Sequence, residues 1–114
     1  KARGRAEVVR LALAEAGVTC TNVFLPEEQG PEREAALQKC RELGGHTTTN
    51  VPMLSINGVH YTQTLAILRK IGSMGWNSVL SCRGALYPDD PVLRYRIDMI
   101  IDACEDFRQP CLGL

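Results

Sequence analysis

The sequence has no excess of charge of either sign. Its 114 residues include 13 basic and 13 acidic side chains, so the formal net charge is zero. Nucleic-acid-binding domains usually carry a basic patch, and polybasic segments attract anionic membranes. The balanced composition therefore gives no support for a nucleic-acid partner or an electrostatic membrane anchor. It favours a small molecule or a protein as the partner.

Long apolar segments are also lacking. No run approaches the ~18 apolar residues of a membrane-spanning helix. Residues 1–5, KARGR, do not contain the apolar core of a signal peptide. We therefore predict a cytoplasmic protein with no membrane partner.

The cysteines do not form a metal-binding pattern. There are five, at positions 20, 40, 82, 104 and 111, and no CxxC or Cys/His spacing of a metal site occurs. An odd number without such spacing favours reduced thiols over a disulfide framework. No metal site is predicted.

A hairpin signal stands out among the residues that are present. Asn57-Gly58 separates two β-prone runs, 53–56 and 59–62, and both residues tolerate the positive φ of a type I′ turn. Pro52 cannot donate a ladder hydrogen bond, so it is expected at the first position of its strand, leaving the Val51 backbone free for a ligand. A helix beginning next to Thr64 places N–H donors at the same site.

Periodicity predicts four helices and one further strand. The helices are expected at residues 5–16, from Gly30-Pro31 to Gly44-Gly45, from Thr62-Gln63-Thr64 to near Gly72, and past Pro91. The strand is expected at residues 20–25. A strand, a crossover helix and a second strand imply a parallel pair, so with the hairpin the sheet should be mixed.

The sequence also predicts which faces of the third and fourth helices are apolar. On the third, Leu65, Leu68 and Ile71 are expected on the core face. On the fourth, Asp90 is placed to cap the N-terminus, and an apolar stripe lies opposite an acidic one. The stripe comprises Leu93, Ile97, Ile100 and Cys104, and it should be exposed to water unless it docks on another surface.

Four segments together resemble cytosolic glutathione S-transferases, most closely the sigma-like, tyrosine-type enzymes. They are residues 3–7 (RGRAE), 51–54 (VPML), 63–68 (QTLAIL) and 86–90 (LYPDD). The resemblance implies an α/β, thioredoxin-like N-terminal domain at residues 1–74, with its first strand missing. A linker at 75–90 follows, with an insert at 76–83, and then the first helix of an all-helical domain at 91–114.

The resemblance also implies a glutathione site. The peptide before Pro52 should be cis, with the Val51 backbone pairing with the cysteine part of glutathione. Gln63 and Thr64 resemble the pair that holds the γ-glutamyl carboxylate. Considered without the family match, simple capping of the helix is the better interpretation of these two residues.

Three charged residues match weaker parts of the pattern. Arg5 resembles an arginine that supports the site without touching the ligand. Asp98 resembles the carboxylate that reaches the γ-glutamyl amino group bound by the opposite subunit, which implies a homodimer. Lys39, or Arg41, is a candidate for holding the glycine carboxylate. The acidic stripe that Asp98 shares with Asp102 and Asp106 is best interpreted as a solvated face, with a cation shared across a dimer axis as the alternative. His46 and His60 are interpreted as structural or surface residues.

The implied function is transfer of the glutathione thiolate to an electrophilic small molecule. The family tyrosine that stabilises this thiolate falls before Lys1, so the chain is expected to hold the binding half of the site and to be inactive alone. The alternative is a non-catalytic, transferase-like interaction module, as in translation-factor subunits. Fold alone does not separate the two.

Overall fold

A computed structural model describes residues 6–44, 51–74 and 86–112, the last four of these without their side chains. Their elements, in chain order, are α1 (Ala6–Glu15), α2 (Pro31–Gly44), β1 (Met53–Ile56), β2 (Val59–Thr62), α3 (Thr64–Ser73) and α4 (Pro91–Leu112). The four predicted helices and the hairpin are therefore confirmed. The predictions for Arg5, His46 and the insert at residues 76–83 lie outside the described residues.

The hairpin forms in the predicted register. β1 and β2 pair antiparallel, with Met53 opposite Thr62 and Ile56 opposite Val59. Between them Asn57 has φ 49° and Gly58 has φ 83°. Positive φ at both central residues is the type I′ geometry, whose twist matches that of the flanking strands.

Residues 18–26 contain neither helix nor strand, so the strand predicted at residues 20–25 is wrong. Over the described residues the sheet consists of β1 and β2 alone, and the predicted mixed sheet with a parallel pair is not found there. Strand propensity measures how well side chains pack on a paired, half-buried surface. Val23 is 90 % exposed, so this segment does not have such a surface.

The core is built where α1 crosses α3. Val9 and Leu13 of α1, with Ala16 just after its end, recur at helical spacing and are buried with Ile67 and Ile71 of α3. Ile67 has no exposed surface, which corresponds to about 1.5–3 kcal/mol of hydrophobic stabilisation.

The α3 core face differs from the prediction. Ile71 is buried as expected, but Leu65 and Leu68 are only half-buried, and Ile67 takes the central position. Residues 67 and 71 lie on one stripe, four residues apart, and this stripe faces α1. Leu65 and Leu68 do not belong to the buried cluster that this stripe forms with α1.

Local signals fix the helix ends. Gly17 has φ 77°, and the Val18 N–H donates to the Leu13 carbonyl over 2.9 Å, which is the Schellman ending that the glycine predicts. At α4, the Asp90 Oδ1 accepts from the N–H groups of Val92 and Leu93, at 2.9 and 3.0 Å. The predicted cap is confirmed.

Candidate functional site

The hairpin register brings two predicted segments to one end of the sheet. Because Met53 stands opposite Thr62, the chain enters β1 through Val51 and Pro52 next to the point where it leaves β2 through Gln63. Opposed residues of an antiparallel pair have Cα atoms about 4.5–5.5 Å apart. The strand entrance and the start of α3 therefore lie next to each other.

On the β1 side, the peptide between Val51 and Pro52 is cis, as predicted. No backbone hydrogen bond joins Val51 to another of the described residues. Both residues line a cavity of about 1000 Å³, whose walls also include Val9 and Leu13 of α1 and the segment 18–25. An extended ligand thus has a backbone edge to pair with and an apolar wall beside it.

On the α3 side, Gln63 has φ 73° and ψ 112°, and its side chain makes no capping hydrogen bond. Its carbonyl accepts the first helical bond, from the Ile67 N–H at 2.9 Å. Gln63 is thus the N-cap residue of α3 through its backbone, and its side chain does not cap the helix. A left-handed conformation is uncommon for a residue other than glycine, and such residues occur often at binding sites.

Thr64 is the first residue of α3. The first N–H groups of a helix have no partner within the helix, and they lie at the positive end of its dipole. Together with the Gln63 amide, this turn offers donors suited to a carboxylate.

Lys39 lies away from this arrangement. It is exposed on α2 and does not line the cavity. Arg33 does line the cavity, and its Nη1 donates to the Pro26 carbonyl over 2.6 Å. Arg33 was not among the residues predicted for the site, although its spacing from Ala36, Leu37 and Cys40 places it on the less exposed face of α2.

Asp98 is engaged within its own chain. Arg69 Nε of α3 donates to its Oδ1 over 2.9 Å, and the Tyr87 hydroxyl lies 2.9 and 3.0 Å from Oδ1 and Oδ2. The hydrogen bond from Arg69, followed by that from Tyr87, lowers the pKa of Asp98. Burial and the bond to Asp98 raise the pKa of Tyr87, so its hydroxyl remains a donor at neutral pH.

Cys20, Cys40 and Ser55 also line the cavity. His60 Nδ1 lies 2.7 Å from Ser55 Oγ on the hairpin, and neither has an acidic partner among the contacts of the described residues. Cys20, Cys40 and Cys104 are free thiols. Within the described ranges, no group of His, Cys, Asp and Glu side chains is arranged to hold a metal ion. No helix there combines the length and apolarity needed to span a membrane.

Comparisons with known proteins agree on one family. The "Glutathione S-transferase, N-terminal domain" family matches residues 1–73. The chain is 36 % identical over 113 residues to "Glutathione S-transferase alpha-4" of Rattus norvegicus, covering 97 % of this chain and 43 % of the relative. It is 34 % identical over 113 residues to "Glutathione S-transferase A1" of Homo sapiens, covering 99 % and 44 %.

A third relative, "Glutathione S-transferase" of Gallus gallus, is 36 % identical over 104 residues, covering 91 % of this chain and 40 % of the relative. The chain thus spans less than half the length of these relatives. No solved structure matches it. The rat relative is named as an alpha transferase, and the comparisons do not support the sigma-like subgroup.

Proposed function

Since the chain belongs to the glutathione S-transferase family through its N-terminal domain, we propose that it binds glutathione where the hairpin meets α3. The observation that carries the proposal is the register of Met53 opposite Thr62. It places a backbone edge at Val51 beside the donors of Gln63 and Thr64. These are the two kinds of group needed to hold a peptide with a terminal carboxylate.

The peptide part of glutathione would pair with Val51. The cis bond to Pro52 sets the direction in which the Val51 backbone enters β1, on the wall of the cavity. Main-chain hydrogen bonds of this kind add an extended ligand to a strand edge. The cysteine sulfur then lies in the cavity.

The γ-glutamyl carboxylate would lie at the start of α3. The Gln63 amide and the Thr64 hydroxyl can donate to it, and the helix N-terminus contributes N–H groups and its dipole. Hydrogen bonds to a charged acceptor are about twice as strong as neutral ones.

The glycine carboxylate lies at the other end of glutathione, and cationic residues are the candidates for holding it. Lys39 stays a prediction, and its exposed position on α2 gives it no support. Arg33 and Arg10 are the cationic residues among those that line the cavity. The supporting role of Arg5 and the contact of Asp98 with glutathione bound by a second subunit also stay predictions.

For the whole protein we propose transfer of the glutathione thiolate to an electrophilic small molecule. The relatives are named as transferases, which favours this activity over the alternative of a non-catalytic interaction module. The alpha class is the better subgroup on the same ground. The homodimer, the cytoplasmic location and the tyrosine expected before Lys1 belong to this proposal.

The test is glutathione binding by the protein and by variants at Gln63, measured by calorimetry. Gln63→Ala removes the amide donor, and we expect glutathione affinity to fall at least about tenfold, or 1.4 kcal/mol. Gln63→Glu keeps the size but brings a negative charge next to the carboxylate, so the loss should be larger. Both substitutions impose a similar backbone demand at φ 73°.

The matched controls are Gln38→Ala and Gln38→Glu. Gln38 is exposed on α2, and its described hydrogen bonds go to Glu42 and Arg41 on the same helix. Neither control should change glutathione affinity. Absence of binding by the unmodified protein, or equal affinity of the Gln63 variants, would overturn the proposed site.

A further inference from the structure

Tyr87 connects three parts of the molecule. It lies between α3 and α4, and its N–H donates to the Gly72 carbonyl near the end of α3 over 2.8 Å. Its hydroxyl donates to the Asp98 carboxylate on α4. Its ring lies under the Arg94 guanidinium, 4.6 Å from Cζ to the ring centroid. One side chain therefore ties the end of α3 to two turns of α4.

Arg69 makes a second connection between the same helices. Its Nε donates to Asp98 Oδ1 at 2.9 Å, and its Nη2 lies 3.5 Å from Asp102 Oδ1, one turn further along α4. The side chains of Arg69 and Asp98 are 30 % and 36 % exposed. Asp98 thus accepts from a guanidinium and a phenol at once, and both of its oxygens are engaged.

The buried core of the described residues does not include α4, although Ile97 and Ile101 of this helix are half-buried. The buried core comes from α1 and α3, and no residue of α4 belongs to it or packs against it among the described residues. Large apolar side chains along α4 are exposed instead, including Leu93, Met99, Ile100 and Phe107. Among the described residues, side-chain hydrogen bonds and ion pairs join α4 to α3 and to the loop between them through Arg69, Tyr87 and their partners on α4.

We propose that Arg69, Tyr87 and Asp98 form a polar clamp that sets the position of α4 on α3, and that Asp98 is a positioning residue of this clamp. This proposal goes beyond glutathione binding, because it concerns how the N-terminal half of α4 is held against α3. It also assigns Asp98 a role that does not require the carboxylate to touch a ligand.

The clamp can be tested by hydrogen exchange of backbone amides, which reports local opening. Asp98→Asn weakens the bond from Arg69 by removing the charge. Tyr87→Phe removes the hydroxyl and keeps the ring under Arg94. We expect either variant to raise exchange about tenfold or more in the first turns of α4, while α1 and the hairpin change less than about twofold.

Asp106→Asn and Tyr95→Phe are the matched controls. Both residues are exposed on α4. Within the described ranges neither side chain forms a hydrogen bond or an ion pair, so α4 exchange should stay unchanged. The double variant of Tyr87 and Asp98 should show less than the combined effect of the single ones, because the two residues share a hydrogen bond.

The pH dependence of amide exchange in α4 distinguishes a positioning role of the Asp98 carboxylate from a general change in helix stability. After correction for intrinsic exchange chemistry, α4 opening in the unmodified chain should increase as pH falls through the folded-state pKa of Asp98. The groups that bear on this carboxylate are Arg69 from α3, Tyr87 from the connecting loop, and Arg94 and Asp102 from α4. Asp98→Asn should remove this part of the profile.

Two results would overturn the clamp. One is α4 exchange in Asp98→Asn and Tyr87→Phe equal to that of the controls. The other is a glutathione affinity at least tenfold weaker in Asp98→Asn than in Tyr87→Phe, with α4 exchange unchanged, which would make Asp98 a ligand contact. If the unmodified protein does not bind glutathione, the proposed function fails while the exchange data still decide the clamp.

Discussion

The carbonyl of Gly72 accepts the N–H of Tyr87 at 2.8 Å, and this approach leaves no room for a side chain at position 72. A Cβ added there would lie 2.9 Å from the Tyr87 Cβ and 3.3 Å from its backbone nitrogen. We predict that Gly72→Ala destabilises the protein by about 1–3 kcal/mol, the usual cost of overpacking. Urea unfolding measures the change.

Gly30→Ala is the control for this substitution. Position 30 has no atom within 4 Å of an added Cβ and no positive φ, so a change within about 0.5 kcal/mol is expected. Equal stability of the two variants would show that the segment around Tyr87 can move away from α3.

The second prediction compares truncation of a buried isoleucine with truncation of an exposed one. Ile67 is fully buried between α3 and α1, whereas Ile100 on α4 is 59 % exposed. Ile67→Ala should cost about 2–5 kcal/mol because it leaves a cavity, and Ile100→Ala should cost much less. The shift in thermal midpoint of each variant measures this contrast, and similar shifts would mean that α4 docks in solution on a surface that buries Ile100.

The sequence predicts the elements whose signals are local. The Asn57-Gly58 turn, the Gly17 helix end and the Asp90 cap depend on a few neighbouring residues, and each forms as predicted. The family match confirms the thioredoxin-like α/β class. The prediction of a strand at residues 20–25 is wrong because a strand needs a pairing partner, and the composition of the segment does not specify one.

The partners of Asp98 show the same limit within the site. An aspartate on a helix gives no indication that an arginine 29 positions earlier and a tyrosine 11 positions earlier will reach it. Those contacts arise only when α4 packs on α3. The resemblance suggested a ligand contact for Asp98, and the geometry adds two partners that the sequence could not indicate.

The turn itself provides a third prediction. Gly58 has φ 83° and open space around an added Cβ, so Gly58→Ala tests conformational strain without a clash. A left-handed residue with a Cβ costs roughly 1–2 kcal/mol, and the loss should appear in the urea midpoint. Asn57→Gly, which suits φ 49°, serves as the comparison and should be nearly neutral. A neutral Gly58→Ala would mean that the hairpin can adopt another turn.

The ion pair between Arg69 and Asp98 gives the last prediction, a dependence of stability on pH. The pKa of Asp98 is lowered from its ordinary value of 3.8, chiefly by the hydrogen bond from Arg69. A carboxylate with a depressed folded-state pKa stabilises the protein above its unfolded-state pKa, and this contribution is lost as pH falls through the folded-state value.

Other carboxylates titrate in the same range, so the informative quantity is the difference in urea midpoint between the unmodified protein and Asp98→Asn. That difference should be constant from neutral pH down to about 4 and shrink below it. Asp106→Asn, as the control on the same helix, should give no such pH-dependent difference. A difference between the unmodified protein and Asp98→Asn that stays constant to the lowest pH would mean that the charge of Asp98 does not stabilise the fold.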